Sequence, residues 1–212
     1  MQLALDHIVV AVADLEAACD DFVMTTGCRP MPGGPHPGLG TCNALVSFGS
    51  GCYLEIVAPD PAQKRKSPLA TRLSRLEAPE LFHWALRVDD LAPMATALRE
   101  AGLEPTPSIE TRRQLPSGET LVWNLMGLPG LGGAWPFFID WCDCEHPSKG
   151  APVVGEIIDF GVSLPDASRT AIPFFGASGV TLLEGPPALS LRIETGRGVI
   201  QWQQPSPVGF FS

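Results

Sequence analysis

Two histidines head two similar stretches of this chain, HIVVAVADL at residues 7–15 and HWALRVDDL at 83–91. Each runs on through apolar residues, meets a valine five places later, and closes on Asp-Leu at the eighth and ninth positions. Later in each copy an apolar stretch carries one acid, Glu55 in CYLEIV and Asp140 in FFIDW. Alternate residues of a strand face one side. That puts His7 with Val9 and Ala11, Glu55 with Tyr53, His83 with Ala85 and Arg87, and Asp140 with Phe138 and Cys142. Four polar groups interrupting apolar faces need a reason. Two imidazoles and two carboxylates suit a hard or borderline divalent cation such as Zn, Ni, Mn or Fe(II). The same four residues equally suit two ordinary His–carboxylate hydrogen bonds, one in each copy. Both readings stay open.

The elements that must place these groups follow a repeat. After each histidine strand comes a helical pattern: Leu15, Ala18, Cys19, Phe22 and Val23 up to Gly27, then Leu91, Met94, Ala95, Leu98 and Ala101 up to Gly102. Asp14 and Asp90 stand where side-chain oxygens cap helix starts, and the glycines where a left-handed residue ends them. Strands are expected at 41–48 and 52–58 in the first copy. In the second they are expected at 119–126, after Pro116-Ser117-Gly118, and at 135–142. A shorter third copy starts near Gly155. It has Asp159 in the histidine's place, Asp166 seven residues later, a helix at 167–175, and apolar runs at 180–183, 188–193 and 199–202. This copy reads as a structural half-module covering a sheet edge. The division expected is a first module at 1–60, a connector at 61–80, a second module at 81–146, a partial third at 153–204, and a tail at 205–212.

Composition agrees with many short elements. The chain has 212 residues with 22 glycines and 22 prolines, yet 45% of it is apolar, which disfavours disorder and helical bundles alike. A net charge of −9 has the wrong sign for nucleic-acid binding. The one basic cluster (Lys64, Arg65, Lys66, Arg72, Arg75) reads as a solvated face beside a short helix. No apolar run approaches a membrane span, and the start MQLALDHIVV lacks a basic leader. Six irregularly spaced cysteines then point to unpaired thiols in a reducing compartment, hence a cytoplasmic protein. Cys142, Cys144 and His146 alternate with Asp140 as a softer zinc set, but Pro147 and the local acidity disfavour a continuous strand there. There is no GxSxG, P-loop, HExxH or GxGxxG pattern.

Taken together, LDHIVVAVADL (5–15), HPGLGTCN (36–43), GCYLEIVAPD (51–60) and PFFIDW (136–141) resemble the vicinal oxygen chelate superfamily, in its glyoxalase-like domain branch. That superfamily includes glyoxalase I, extradiol dioxygenases, epimerases and antibiotic-resistance proteins. The resemblance covers residues 3–145 and implies an α+β fold: paired βαβββ modules forming a cup-shaped, curved mixed sheet around a shared cavity. By position it implies His7, Glu55, His83 and Asp140 as metal ligands, although glyoxalase I proteins usually carry glutamate at the Asp140 place. It implies Lewis-acid chemistry on two neighbouring substrate oxygens, an enediolate-type intermediate, and Glu55 or Asp140 as catalytic base. Arg87 would pair with a substrate carboxylate or phosphate, or equally serve an edge-of-sheet salt bridge. His36, Asn43, Tyr53, Trp123 and Trp141 would line the cup mouth or serve as loop support or core, core being the better reading for the tryptophans.

The first reading is therefore a divalent-metal-dependent lyase or isomerase acting on a small oxygenated metabolite. Alternatives are a metal-free small-molecule binding or resistance protein using the same cup, and an Fe(II) dioxygenase. The expected partner is a small-molecule ligand, with no nucleic acid and no membrane, and a homodimer is left open. Two turn-rich stretches, 31–40 and 127–135, are expected as loops at the cup rim.

Overall fold

The computed structural model describes residues 3–49, 51–64, 67–114, 120–165, 179–205 and 209–210. Arg65, Lys66, Asp166, the turn at 116–118, the helix expected at 167–175 and most of the tail lie outside the described residues.

Two βαβββ units build the main sheet. The first comprises β1 (Ala4–Ala11), α1 (Leu15–Thr26), β2 (Met31–His36), β3 (Thr41–Ser47) and β4 (Tyr53–Pro59). A short helix, α2 (Pro68–Leu73), leads to the second: β5 (Glu80–Arg87), α3 (Leu91–Glu100), β6 (Ile109–Gln114), β7 (Thr120–Met126) and β8 (Phe137–Asp140). The sheet order is β2-β3-β4-β1-β5-β8-β7-β6. Each unit's first strand is parallel to its last, and β1 meets β5 antiparallel at the centre, which gives a pseudo-twofold arrangement. The two ends of the sheet approach each other. A Cβ placed on Gly33 of β2 would lie 3.3 Å from Arg113 Nη1 of β6, and one on Gly34 would lie 3.5 Å from Arg113 Cδ. The sheet is thus a curved, nearly closed cup.

The caps sit where the sequence puts them. Asp14 accepts from Ala17 N at 3.1 Å, Gly27 closes α1 at φ +78°, and Asp90 accepts from Ala92 N at 2.8 Å. Two strands were not legible. The stretch MPGGPH, expected in a rim loop, forms β2 at the sheet edge, where proline costs no central ladder bond. IETRRQ forms β6 at the opposite edge, its charges hiding any apolar alternation.

Because β1 and β5 are central, they are buried on both faces and read as continuous apolar runs. The outer face (Ile8, Val10, Leu54, Trp84, Leu86, Phe138) packs under Phe22 of α1 and Met94 and Leu98 of α3. A second sheet joins it, formed by β9 (Gly155–Leu164), β10 (Thr181–Glu184), β11 (Ala188–Thr195) and β12 (Gly198–Pro205) in the order β10-β9-β11-β12. Its Phe160, Val162, Leu189 and Leu191 complete the outer core, with Phe160 edge-on to Trp84 at 5.5 Å. The third segment therefore covers the main sheet's convex face rather than its edge. It also departs from the repeat, since its first strand pairs parallel with the next strand, β10, and antiparallel with β11.

The inner face holds a smaller core of Val9, Ala11, Leu45, Val57, Ala85, Phe137 and Ile139, closed at one end by Leu73 of α2. Among the described residues no helix is long and apolar enough to cross a membrane. All six cysteines are unbridged.

Candidate functional site

The polar end of the inner face is built by the first unit. Parallel pairing sets His7 beside Tyr53 and Val9 beside Glu55, so His7, Tyr53 and Glu55 share the concave face. The Tyr53 ring stacks on the imidazole at 4.6 Å and 19°. His7 Nε2 faces Glu55 Oε2 at 3.5 Å, and His36 Nε2 lies 3.7 Å from Glu55 Oε1. Asn43 Nδ2 donates to Glu55 Oε1 at 2.8 Å. Burial pushes the His36 ring below its ordinary value, with Glu55 pulling the other way and Arg113 adding to the depression. Burial likewise raises the Tyr53 phenol well above its usual range, so it stays neutral.

Asp6 is the residue that sequence periodicity misses. Strict alternation would send it to the opposite face from His7. A register shift between Leu5 and His7 against β5 leaves Asp6 as the extra residue of a bulge, which re-aims its side chain. Its fully buried carboxylate accepts from His7 Nδ1 at 2.6 Å, from His146 Nε2 at 2.9 Å and from Trp141 Nε1 at 3.0 Å. Arg87 Nη1 stands 3.8 Å away and also donates to the Gly51 carbonyl at 3.2 Å. Burial opposes the charge on Asp6, but the hydrogen bonds and charges of His146 and His7 outweigh it and hold the carboxyl well below the usual range. Because a carboxylate only accepts, His146 donates to Asp6 through Nε2, and its Nδ1 lies 2.7 Å from the Ser148 hydroxyl and 3.3 Å from Ser148 N. The alternating Cys142, Cys144 and His146 form no joint site: Cys144 Sγ accepts from Val122 N, and Cys142 Sγ from Asn124.

The second unit keeps the framework and changes the chemistry. A matching shift between Val9 and Val10 leaves Phe82 as the bulged residue before His83, just as Asp6 precedes His7. Ala85, two residues after His83, pairs with Phe137, as Val9 pairs with Glu55. Phe137 thus occupies the position equivalent to Glu55. Asp140 lies three residues further on, and an odd offset reverses the face. It points with Phe138 away from the concave side, is half-buried, and accepts from Cys142 N at 2.8 Å in a turn where Cys142 takes φ +52°. His83 is on the concave face but engaged at both ring nitrogens. Nε2 meets the Trp135 carbonyl at 3.0 Å, and Nδ1 accepts from Phe210 N at 3.1 Å. The Phe82, Phe137 and Phe210 rings surround it. The 127–135 stretch, expected at the rim, is therefore packed beneath His83. A Cβ on Gly133 would come within 2.0 Å of the Phe82 carbonyl and 3.2 Å of Gly209 N. Gly133→Ala is expected to lower stability by about 1–3 kcal/mol in urea melts, as overpacking does.

The sequence set therefore divides. His7, Glu55, His36, Asn43 and Tyr53 come together; His83 joins the same face on its apolar side; Asp140 does not join. Trp123 lies on the inner face beside Trp141, with ring centroids 5.5 Å apart. The four-residue ligand set does not fit a metal here, because one donor points away and another has both nitrogens on backbone groups. Among the described residues no group of three His, Cys, Asp or Glu side chains is disposed to hold a metal ion. Arg113 was also missed. Pairing of Arg113 with Leu121 and of Thr111 with Trp123 sets it on the concave side, its guanidinium carbon 5.9 Å from the Trp123 ring centroid.

Paired βαβββ units closing a cup with a polar concave face define a member of the vicinal oxygen chelate superfamily. The glyoxalase-like domain family matches residues 5–172, and the chain belongs to that family. Among solved structures, a hypothetical protein from Staphylococcus aureus aligns at 16% identity over 99% of this chain and 86% of its own, with a TM-score of 0.61. Methylmalonyl-CoA epimerase from Mycobacterium tuberculosis aligns at 26% identity over 67% of this chain and 89% of its own, with a TM-score of 0.47. A methylmalonyl-CoA epimerase in complex with methylmalonyl-CoA and NH4+ aligns at 18% identity over 69% and 100%, also at 0.47. No curated protein matches the sequence significantly.

Proposed function

We propose that this glyoxalase-like protein is an isomerase- or lyase-type enzyme that moves a proton on a small oxygenated metabolite, with Glu55 and His7 as the proton-handling pair. The observation that carries the reading is how these two groups face each other. Asp6 accepts the His7 Nδ1 proton, so the Nε2 lone pair is turned toward Glu55 Oε2 at 3.5 Å. Two acceptors in that arrangement can take up one proton from a substrate and hold it on either atom. The pair can thus receive and return a single proton in a buried site.

A substrate with a C–H next to a carbonyl uses that arrangement directly. The Glu55 carboxylate takes the carbon's proton, the C–H electron pair shifts into the adjacent C–C bond, and the carbonyl π pair moves onto oxygen as an enolate. Return of a proton from the His7–Glu55 pair to the opposite face of the same carbon completes epimerisation. Return to the next oxygenated carbon, with the hydroxyl proton of the enediolate passing to its neighbouring oxygen, completes isomerisation. Asn43 and His36, which border Glu55, are the neutral hydrogen-bonding groups at hand for the developing oxygen charge. No step passes through a metal.

The test is exchange of substrate C–H for solvent deuterium, followed by NMR over a panel of small 2-hydroxy-carbonyl compounds and chiral 2-substituted acids. Exchange is expected with at least one compound, unaffected by a chelator. Glu55→Gln, which keeps the Asn43 contact geometry but removes the base, is expected to lower it on the order of 10²–10⁴-fold. Exchange that disappears on chelation and returns with Zn, Ni, Mn or Fe would replace this reading by the metal-dependent one. Tight binding of compounds that Glu55→Gln leaves intact, with no exchange by the wild type, would favour a binding protein.

A further inference from the structure

We infer that Arg113 is the anchor for a substrate carboxylate, which makes the ligand of the cup a small organic carboxylate. The inference rests on reading the concave face as a substrate site, and it names the substrate's charge.

Among the described residues, Arg87 and Arg113 reach the polar end of this face, while Arg72 lies over Phe82 and pairs with Glu80. The first two differ in what already holds them. Arg87, the cation that sequence position favours, is engaged by the Gly51 carbonyl and lies beside Asp6, so its charge is spent inside the fold. Arg113 has neither kind of partner. It forms no ion pair or side-chain hydrogen bond among the described residues, and its Nε is buried without a partner. A buried guanidinium N–H facing no acceptor is costly unless something else supplies one.

The surroundings say what that something is. The guanidinium lies over Trp123, a seat that holds the plane and leaves its N–H edge for a planar acceptor. Gly33 has no side chain to block it: a Cβ there would sit 2.1 Å from Asn43 Oδ1 and 3.3 Å from Arg113 Nη1. The two glycines of β2 therefore leave the space through which Arg113 and Asn43 approach each other across the mouth of the cup. Asn43 Oδ1 is itself buried without a partner, while the same amide's nitrogen holds Glu55. One unmatched donor and one unmatched acceptor thus lie on the same side of the catalytic pair. A carboxylate takes the Arg113 edge bidentately, and a hydroxyl on the neighbouring carbon supplies a donor for Asn43 Oδ1. A carboxylate suits one seated guanidinium, whereas a phosphate dianion would call for further donors beside Glu55.

Phenylacetate and phenylacetamide are matched probes, alike in shape and different in charge. Titration of the full chain, followed by ligand-observed NMR or calorimetry, is expected to show binding of the acid with the amide at least tenfold weaker. Arg113→Met is expected to weaken the acid on the order of 10–100-fold and leave the amide unchanged. Arg113→Lys is expected to recover part of the loss. Circular dichroism melts check that both variants fold. Equal binding of acid and amide, no binding of either, or indifference to Arg113→Met would overturn the proposal. Inorganic phosphate binding more tightly than the acid, with the same dependence on Arg113, would overturn the carboxylate assignment. Deuterium exchange separates the two readings. Loss of the Arg113 effect with exchange intact removes only the anchor, while Arg113-dependent binding without any exchange removes only the proton-transfer chemistry.

Discussion

Asp6→Asn is expected to lower proton exchange on the order of 10²–10⁴-fold without unfolding the protein, by turning His7 into its wrong tautomer. The reason lies in the donors around the buried side chain. Oδ2 receives two N–H groups, from His146 Nε2 and Trp141 Nε1, and the indole N–H can never become an acceptor. An asparagine must therefore keep its oxygen there and turn its NH2 toward His7. That NH2 donates to Nδ1, which moves the imidazole proton to Nε2. The ring then donates to Glu55 and can no longer take a proton from it. Long-range 15N–1H spectra should show His7 protonated at Nδ1 in the wild type and at Nε2 in the variant, independent of any substrate. A wild-type His7 found as the neutral Nε2–H form, or a variant with unchanged tautomer and exchange, would remove Asp6 from its positioning role. The substitution also separates positioning from packing, since Asp6→Leu should destabilise the fold by stranding three donors, whereas Asp6→Asn strands none.

Much of this cup was legible because the chain repeats itself. HIVVAVADL and HWALRVDDL mark equivalent strands and helix starts, and Asp14, Asp90 and Gly27 do the capping work their types suggest. His7, Glu55, His36, Asn43 and Tyr53 meet because one strand periodicity governs their unit. Periodicity failed where the backbone departs from it. Asp6 reaches the site through a bulge, and a bulge leaves no mark on apolar spacing. Asp140 failed through its offset: it is an acid on the right strand but three residues from the equivalent of Glu55, and only the register against β5 reveals this. Arg113 sits in an edge strand whose run of charged residues resembles a solvated loop. The signal that would have found Asp6 was present in its type. An acid inside an otherwise apolar strand, next to a histidine, has to be paired when it is buried.

Comparison of the two units shows equivalent positions filled with different chemistry. Asp6 and Glu55 in the first unit correspond to Phe82 and Phe137 in the second, and only the histidine is kept. In the second unit His83 is surrounded by aromatic rings and backbone groups. Burial, with His7 nearby, pushes its ring down to about 3, even though the Trp135 carbonyl pulls the other way. An unfolded histidine titrates near 6.5, so between those values the unfolded chain binds a proton that the fold refuses. The contribution of His83 to stability is therefore fully present above about pH 6.5 and is lost as the pH drops toward 3, by about 1.4 kcal/mol per pH unit and on the order of 4–5 kcal/mol in all. The buried His36, also pushed down, adds to the same slope. Asp6, held below a carboxylate's usual value, contributes its change only below the ordinary Asp range, so the interval from pH 4 to 6.5 belongs to His83 and His36. His83→Gln can place its amide nitrogen on the Trp135 carbonyl and its oxygen on Phe210 N–H, while removing the titration. Urea melts between pH 4 and 7.5 should then show a wild-type slope steeper than the variant's by close to one proton. Parallel slopes would mean that His83 accepts its proton in place, and that the second half of the cup is wetter and less committed to an apolar role than its aromatic lining requires.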